Sequence, residues 1–141
     1  MPAIYEHPHI VLASEIDDQG HVNNVEYVKW MNWAAVTHSS LQGWPPERYR
    51  EVGAGWVVRT HRVEYLQAAF EGDEIVVRTW VADFKKVTST RKYRILRRSD
   101  KATLVIAETN WAFIGLEHHV PRRIPPELSG AFELVPDDAE S

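Results

Sequence analysis

The amino-acid sequence predicts an α+β domain in which one antiparallel sheet wraps around a single long helix. Three observations predict it. From about Asn24 to Gln42 the apolar residues recur at helical spacing. From residue 55 onward come four long stretches rich in Val, Ile, Thr, Trp, Tyr and Phe, separated by short turn-forming breaks. One apolar run precedes the helix and supplies a fifth strand. Strands collected after a helix, rather than alternating with helices, indicate α+β architecture.

Taken in order, residues 1–8 hold Pro2, His7 and Pro8 and read as an N-terminal arm, and residues 9–15 read as the first strand. In the helical segment Tyr27, Val28, Trp30, Met31, Ala34, Ala35 and Leu41 fill a broad apolar arc. Glu26, Lys29, Thr37 and Ser40 share the narrower polar side, where Trp33 stands as an exposed aromatic or a subunit contact. So wide a stripe belongs to a helix gripped by a sheet. Gly43 suits the C-terminal cap, Pro45 and Pro46 prevent continuation, and Glu47–Glu51 suits one further helical turn. Strands are expected over 55–67, 74–86, 88–98 and 102–115, joined as a meander by tight turns. Prolines 121, 125 and 126 end the last strand, and 126–134 reads as a short helix. The expectation is one domain over 1–134 and a frayed acidic tail over 135–141.

Bulk properties exclude several function classes. A chain of 141 residues is long enough to bury about two-thirds of its unfolded surface in one core. Its net charge of −4 argues against general nucleic-acid binding. The absence of Cys removes disulfides, thiolate catalysis and Cys-based metal sites. No apolar run approaches the roughly 20 residues of a membrane span and no signal-peptide core is present, so a cytoplasmic protein without membrane insertion is expected. Six tryptophans require large flat apolar surfaces to be covered in a core, pocket or interface. G-x-S-x-G, G-x-G-x-x-G and P-loop patterns are all missing, and the histidines lack the spacing of metal ligands. No metal and no cofactor is expected.

The chemistry concentrates at the strand-to-helix junction, Asp17 to Tyr27, read D-D-Q-G-H-V-N-N-V-E-Y. A bland turn needs the glycine and one asparagine; this one carries two carboxylates, a histidine and a second asparagine. Asn23 or Asn24 can cap the helix through its side-chain oxygen. Free first-turn N–H groups, backed by the positive end of the helix dipole, would then polarise a carbonyl and stabilise an oxyanion. Gly20 can adopt positive φ and let an acyl group pass closely. Asp17 stands where its carboxylate can attack that carbonyl or activate a water beside it. Asp18 reads as a solvated neighbour. His21 either assists proton transfer or holds the loop. Tyr27 and Trp30, one turn along, either line an acyl pocket or belong to the core.

The run G-H-V-N-N-x-x-Y, Gly20 through Tyr27, resembles the signature of hot-dog-fold thioesterases, the 4-hydroxybenzoyl-CoA thioesterase-like group, and is similar to the motif of acyl-ACP thioesterases. The resemblance implies a five-stranded sheet around a central helix and hydrolysis of an acyl thioester of coenzyme A or acyl carrier protein. It also implies Asp17 as the catalytic carboxylate and a backbone amide near Asn24 as the carbonyl polariser. A site shared between subunits, hence a homodimer or homotetramer, follows from the same likeness. Coenzyme A would enter only as part of the substrate. Two positions depart from the pattern: Glu15 replaces a commoner Asp, and Gln19 replaces an Asn of the acyl-ACP enzymes.

One further feature is a basic run. Between Lys85 and Arg98 seven Lys and Arg residues occur with no Asp or Glu. A solvated outer sheet face accounts for most of them. Lys85, Lys86 and Arg91, at the hairpin end, suit the phosphates of coenzyme A or an acidic carrier surface. The competing readings are a non-catalytic acyl-thioester binding or sensing module and a hydratase or dehydratase on the same fold.

Overall fold

Pairing potential along the chain is realised, but not in chain order. A computed structural model describes residues 3–135. Its elements are β1 (Tyr5–Ile10), a 3-10 turn (Ala13–Glu15), α1 (Asn24–Leu41), α2 (Pro46–Val52), β2 (Ala54–Tyr65), β3 (Glu74–Phe84), β4 (Thr88–Arg97), β5 (Thr103–Gly115) and α3 (Pro126–Ser129). The five strands form one antiparallel sheet in the order β1-β3-β4-β5-β2, with α1 lying against it. The α+β class and the five-stranded sheet around one helix are as the sequence predicts.

Three expectations are corrected. The first strand is not 9–15 but Tyr5–Ile10, so the proline-bearing arm is itself the edge strand, paired from Tyr5↔Thr79 to Ile10↔Glu74. Proline lacks an N–H and is tolerated at an edge, where half of the backbone groups go unpaired. The strands are not a simple meander either. Only β3, β4 and β5 follow one another as neighbours, whereas β2 crosses to the far side of β5. The connection after β2 is tied to the start of α1, with Ala69 accepting from the Val22 N–H at 3.0 Å and donating to the Tyr27 hydroxyl at 3.0 Å. Finally, the last helix is a single turn, after which Phe132 and Val135 turn inward. Val135 is buried and donates its N–H to Val81 at 2.9 Å, along the part of β3 that β1 leaves uncovered. The rest of the expected tail, 136–141, lies outside the described residues.

The apolar arc of α1 is buried largely as its periodicity predicts. Trp30, Met31 and Ala34 are wholly buried against Ile75, Val77, Ile95 and Leu104. Each large side chain so covered contributes roughly 1.5–3 kcal/mol. Trp33 is exposed as expected, while Leu41 is exposed against expectation. A second cluster (Trp44, Val81, Phe113, Ile124, Leu128, Phe132) fills the other end of the sheet. Between the two runs a polar layer: His38 of α1, Thr79 of β3 and Arg91 of β4, all buried. Gly43, at φ 95°, ends α1, and among the described residues no helix is long and apolar enough to cross a membrane.

Candidate active site

The loop between the 3-10 turn and α1 is a tight backbone structure that presents one carboxylate. Ile16 and Val22 form an isolated bridge that pinches its base. Inside it the Asp17 N–H donates to His21 at 2.9 Å and the Gly20 N–H donates to Asp17 at 3.0 Å. Gly20 takes φ 86°, the conformation that this turn needs and that a side chain would strain. The Asp17 Oδ1 accepts the Gln19 N–H at 2.9 Å, which fixes the carboxylate and leaves Oδ2 without a hydrogen bond among the described residues. His21 Nδ1 is 3.8 Å from that Oδ2 and 3.2 Å from the Val22 carbonyl. A carbonyl only accepts, so Nδ1 carries the proton and donates to Val22. The geometry thus gives His21 a loop-holding bond, with its ring beside the carboxylate.

The helix start supplies the other half. Asn23 is the cap: its Oδ1 accepts the Val25 N–H at 3.1 Å and its carbonyl accepts the Glu26 N–H at 2.9 Å. The intervening N–H of Asn24 has no acceptor among the described residues. The Tyr65 hydroxyl donates to the Asn24 carbonyl at 3.2 Å, anchoring this turn to the end of β2. Asp17, Asp18, Gln19, His21, Asn23 and Asn24 together line an open depression of about 360 Å³. A carboxylate and a helix-start N–H without a described acceptor therefore share one polar recess. Replacing the cap, Asn23→Ala, is expected to lower stability by about 1 kcal/mol in urea unfolding.

Tyr27 and Trp30 do not line that recess. Tyr27 is buried, edge-on to Trp30 with ring centres 5.0 Å apart, and Trp30 is fully enclosed. Both brace the site from behind. The Trp30 indole N–H donates at 2.8 Å to Glu15, a residue whose role the sequence did not disclose. Glu15 is only 5% exposed, and its carboxylate also accepts the Leu12 N–H at 2.8 Å and lies 2.9 Å from His9 Nε2. Burial pushes its carboxyl up. Hydrogen bonds from Leu12, His9 and Trp30 outweigh that and hold it below the ordinary value. The Glu15 carbonyl accepts the Asn23 N–H at 3.0 Å, so this residue ties the loop, the 3-10 turn and α1 together.

The basic group expected at the hairpin is divided. Lys85 and Lys86 are exposed on the β3–β4 turn. Arg91 is buried, on the face of β4 that looks toward α1. It cannot join the lysines at an exposed phosphate site. Strand parity carried the signal: Ser89, Arg91, Tyr93 and Ile95 alternate inward, whereas Lys92 and Arg94 alternate outward. Arg91 instead borders a cavity of about 320 Å³ beside the C-terminal half of α1, walled by Trp44, Tyr49, Trp56, Phe84, Trp111 and Phe132.

The profile of the thioesterase-like superfamily matches residues 11–132. Among curated proteins none matches the chain by sequence. Solved structures do resemble it. A 1,4-dihydroxy-2-naphthoyl-CoA thioesterase from Synechocystis superposes with a TM-score of 0.84 at 16% identity, over 91% of this chain and 94% of that one. A DHNA-CoA thioesterase from Staphylococcus aureus gives 0.83 at 21% identity, over 91% and 87%. An acyl-ACP thioesterase from Bacteroides thetaiotaomicron gives 0.85 at 17% identity over 94% of this chain, which spans only 54% of that protein. Likeness at these identities establishes the fold, which is the hot-dog arrangement.

Proposed function

Given that the chain belongs to the thioesterase-like superfamily, we propose that it hydrolyses acyl thioesters, with Asp17 as the catalytic carboxylate and the Asn24 N–H as oxyanion donor. The observation that carries this reading is the pairing of Asp17 Oδ2, which has no hydrogen bond among the described residues, with an N–H that no described group claims, in one open recess. In one course Asp17 attacks the carbonyl, the thiolate leaves, and water cleaves the resulting anhydride. In the other Asp17 takes a proton from the attacking water. Either way the thioester becomes a carboxylic acid and a thiol, and the oxyanion forms at the helix start.

A homo-oligomeric site supports this chemistry better than a single chain. The recess around Asp17 is lined by polar residues, and Tyr27 and Trp30 are closed core, so its described lining gives an acyl group no apolar cover. Among the described residues the outer edge of β2 has no strand partner, and this strand carries exposed Val57, Val58 and Tyr65. A second copy there would cover that edge and supply apolar surface. A carrier bearing a nucleotide, as coenzyme A does, would meet Lys85 and Lys86 as phosphate partners. Charge reversal of both lysines to Glu is expected to raise KM for an acyl-CoA several-fold and leave KM for a short thioester without the nucleotide unchanged. Equal shifts for both substrates would remove the lysines from substrate binding.

The direct test of the activity is thiol release from a panel of CoA thioesters carrying short, medium, long and aromatic acyl groups. Turnover of one class is the expected result. Saturable binding with no thiol released from any of them, or from acyl carrier protein thioesters, would instead favour a binding module.

A further inference from the structure

The cavity beside the C-terminal half of α1 has an unusual polar inventory. Arginine presents five N–H donors in a rigid fork. In Arg91, Nη1 is bonded to His38 Nδ1 and to Thr79 Oγ1, both at 3.0 Å. Nε and Nη2 have no acceptor among the described residues, and no described carboxylate forms an ion pair with the group. Arg97 shows the ordinary arrangement, with Asp73 at 3.4 Å and Asp100 at 3.1 Å. Arg91 is 6% exposed, and burial pushes its pKa down, opposed only by the phenols of Tyr93 and Tyr49. An uncompensated buried cation is costly. Here the cation is offset only in part, by the His38 and Thr79 acceptors and by the Phe132 ring, whose centre lies 5.8 Å from the guanidinium carbon.

The neighbouring polar groups sharpen the point. The Ser39 hydroxyl donates to the Trp44 carbonyl at 2.8 Å, and the Ser89 hydroxyl donates to Asp83 at 2.8 Å. The Tyr49 hydroxyl accepts the Trp56 indole N–H at 3.1 Å. The Trp44 indole N–H is fully buried and has no partner among the described residues. What remains uncommitted beside this aromatic wall is therefore the free part of the Arg91 donor fork. A group that only accepts and bears negative charge complements it. At about 320 Å³ the cavity is at the small end for ligand sites, room for one or two fused rings or a medium chain.

We propose that this cavity binds a small apolar carboxylic acid as its anion, the carboxylate on Arg91 and the hydrocarbon among Trp56, Phe84, Trp111 and Phe132. The site lies at the other end of α1 from Asp17. It stands whether or not Asp17 hydrolyses thioesters.

Calorimetric titration at pH 7 with 1-naphthoate and with its neutral counterpart 1-naphthalenemethanol tests it. Wild-type protein should bind the acid saturably and about tenfold or more tighter than the alcohol, the range a charge-assisted bond supplies. Arg91→Met should erase that preference while keeping the alcohol, Arg91→Lys should keep part of it, and Asp17→Asn should keep all of it. Should Arg91→Met fail to fold, Leu116→Trp, at the exposed rim, should weaken both ligands by narrowing the mouth. Absence of binding, equal affinity for acid and alcohol in the wild type, a preference surviving in Arg91→Met, or unchanged affinity in Leu116→Trp would each overturn the proposal.

Discussion

Asp17→Asn is expected to lower kcat for thioester hydrolysis by at least about 100-fold while leaving the protein folded. Loss of a positioned general base costs about 10²–10⁴ in rate, and loss of a nucleophile at least as much. The amide keeps the side-chain oxygen that accepts the Gln19 N–H, so the turn retains its bond. Its NH₂ replaces Oδ2, which makes no hydrogen bond shorter than the 3.8 Å approach of His21, so little packing changes. The melting temperature should therefore stay within a few degrees of wild type, and KM should move much less than kcat. Asp18→Asn, on an exposed neighbour, serves as the control and should retain near-wild-type turnover. Wild-type turnover in a folded Asp17→Asn protein would remove this residue from the chemistry. An equal loss in Asp18→Asn would mean that local charge, rather than a positioned carboxylate, matters.

How much of this could be read from the sequence depended on whether the information was local. The extent of α1 was legible because its apolar arc and its glycine and proline terminators lie within the segment itself. A cap at Asn23 or Asn24 and a positive φ at Gly20 were legible for the same reason, since each follows from the residue and its immediate neighbours, and in the structure the cap is Asn23. Strand order was not. Alternation says that a segment pairs, but the crossing of β2 to β5 is settled by the connection over 66–73 packing on the start of α1. The N-terminal strand was misplaced because Pro8 looks like a breaker until the segment is known to be an edge. Arg91 was grouped by charge when its parity with Tyr93 and Ile95 pointed inward. His38 escaped notice because a histidine on a helix becomes informative only when its partner, on β4, is known. Glu15 looked like a conservative exchange. Its three hydrogen-bond donors come from positions 9, 12 and 30, and only the fold brings them together.

Glu15 gives the second large effect, on stability rather than on chemistry. Glu15→Ala is expected to lower the unfolding free energy by about 3 kcal/mol, because it strands two donors beside the core, the Leu12 N–H and the Trp30 indole. Glu15→Gln does not rescue fully. One carboxylate oxygen accepts from Leu12 and the other from Trp30, so whichever way the amide is turned its NH₂ meets a donor. The two substitutions also differ from wild type in their response to acid. The folded-state carboxyl lies below its ordinary value of 4.5, so its contribution is present above that value and is lost as pH falls through the folded one. Urea unfolding at pH 7 and near pH 4 should therefore show wild type losing stability toward acid that Glu15→Gln, already lacking the titrating group, does not lose. Identical pH dependence in the two would place the acid-sensitive interaction elsewhere. Because Glu15 also accepts the Asn23 N–H through its carbonyl and fixes Trp30 behind the loop, both variants should lower kcat as well. Lower temperature or a stabilising osmolyte should recover part of that loss, since the Asp17 carboxylate itself remains, and the same conditions should recover nothing in Asp17→Asn.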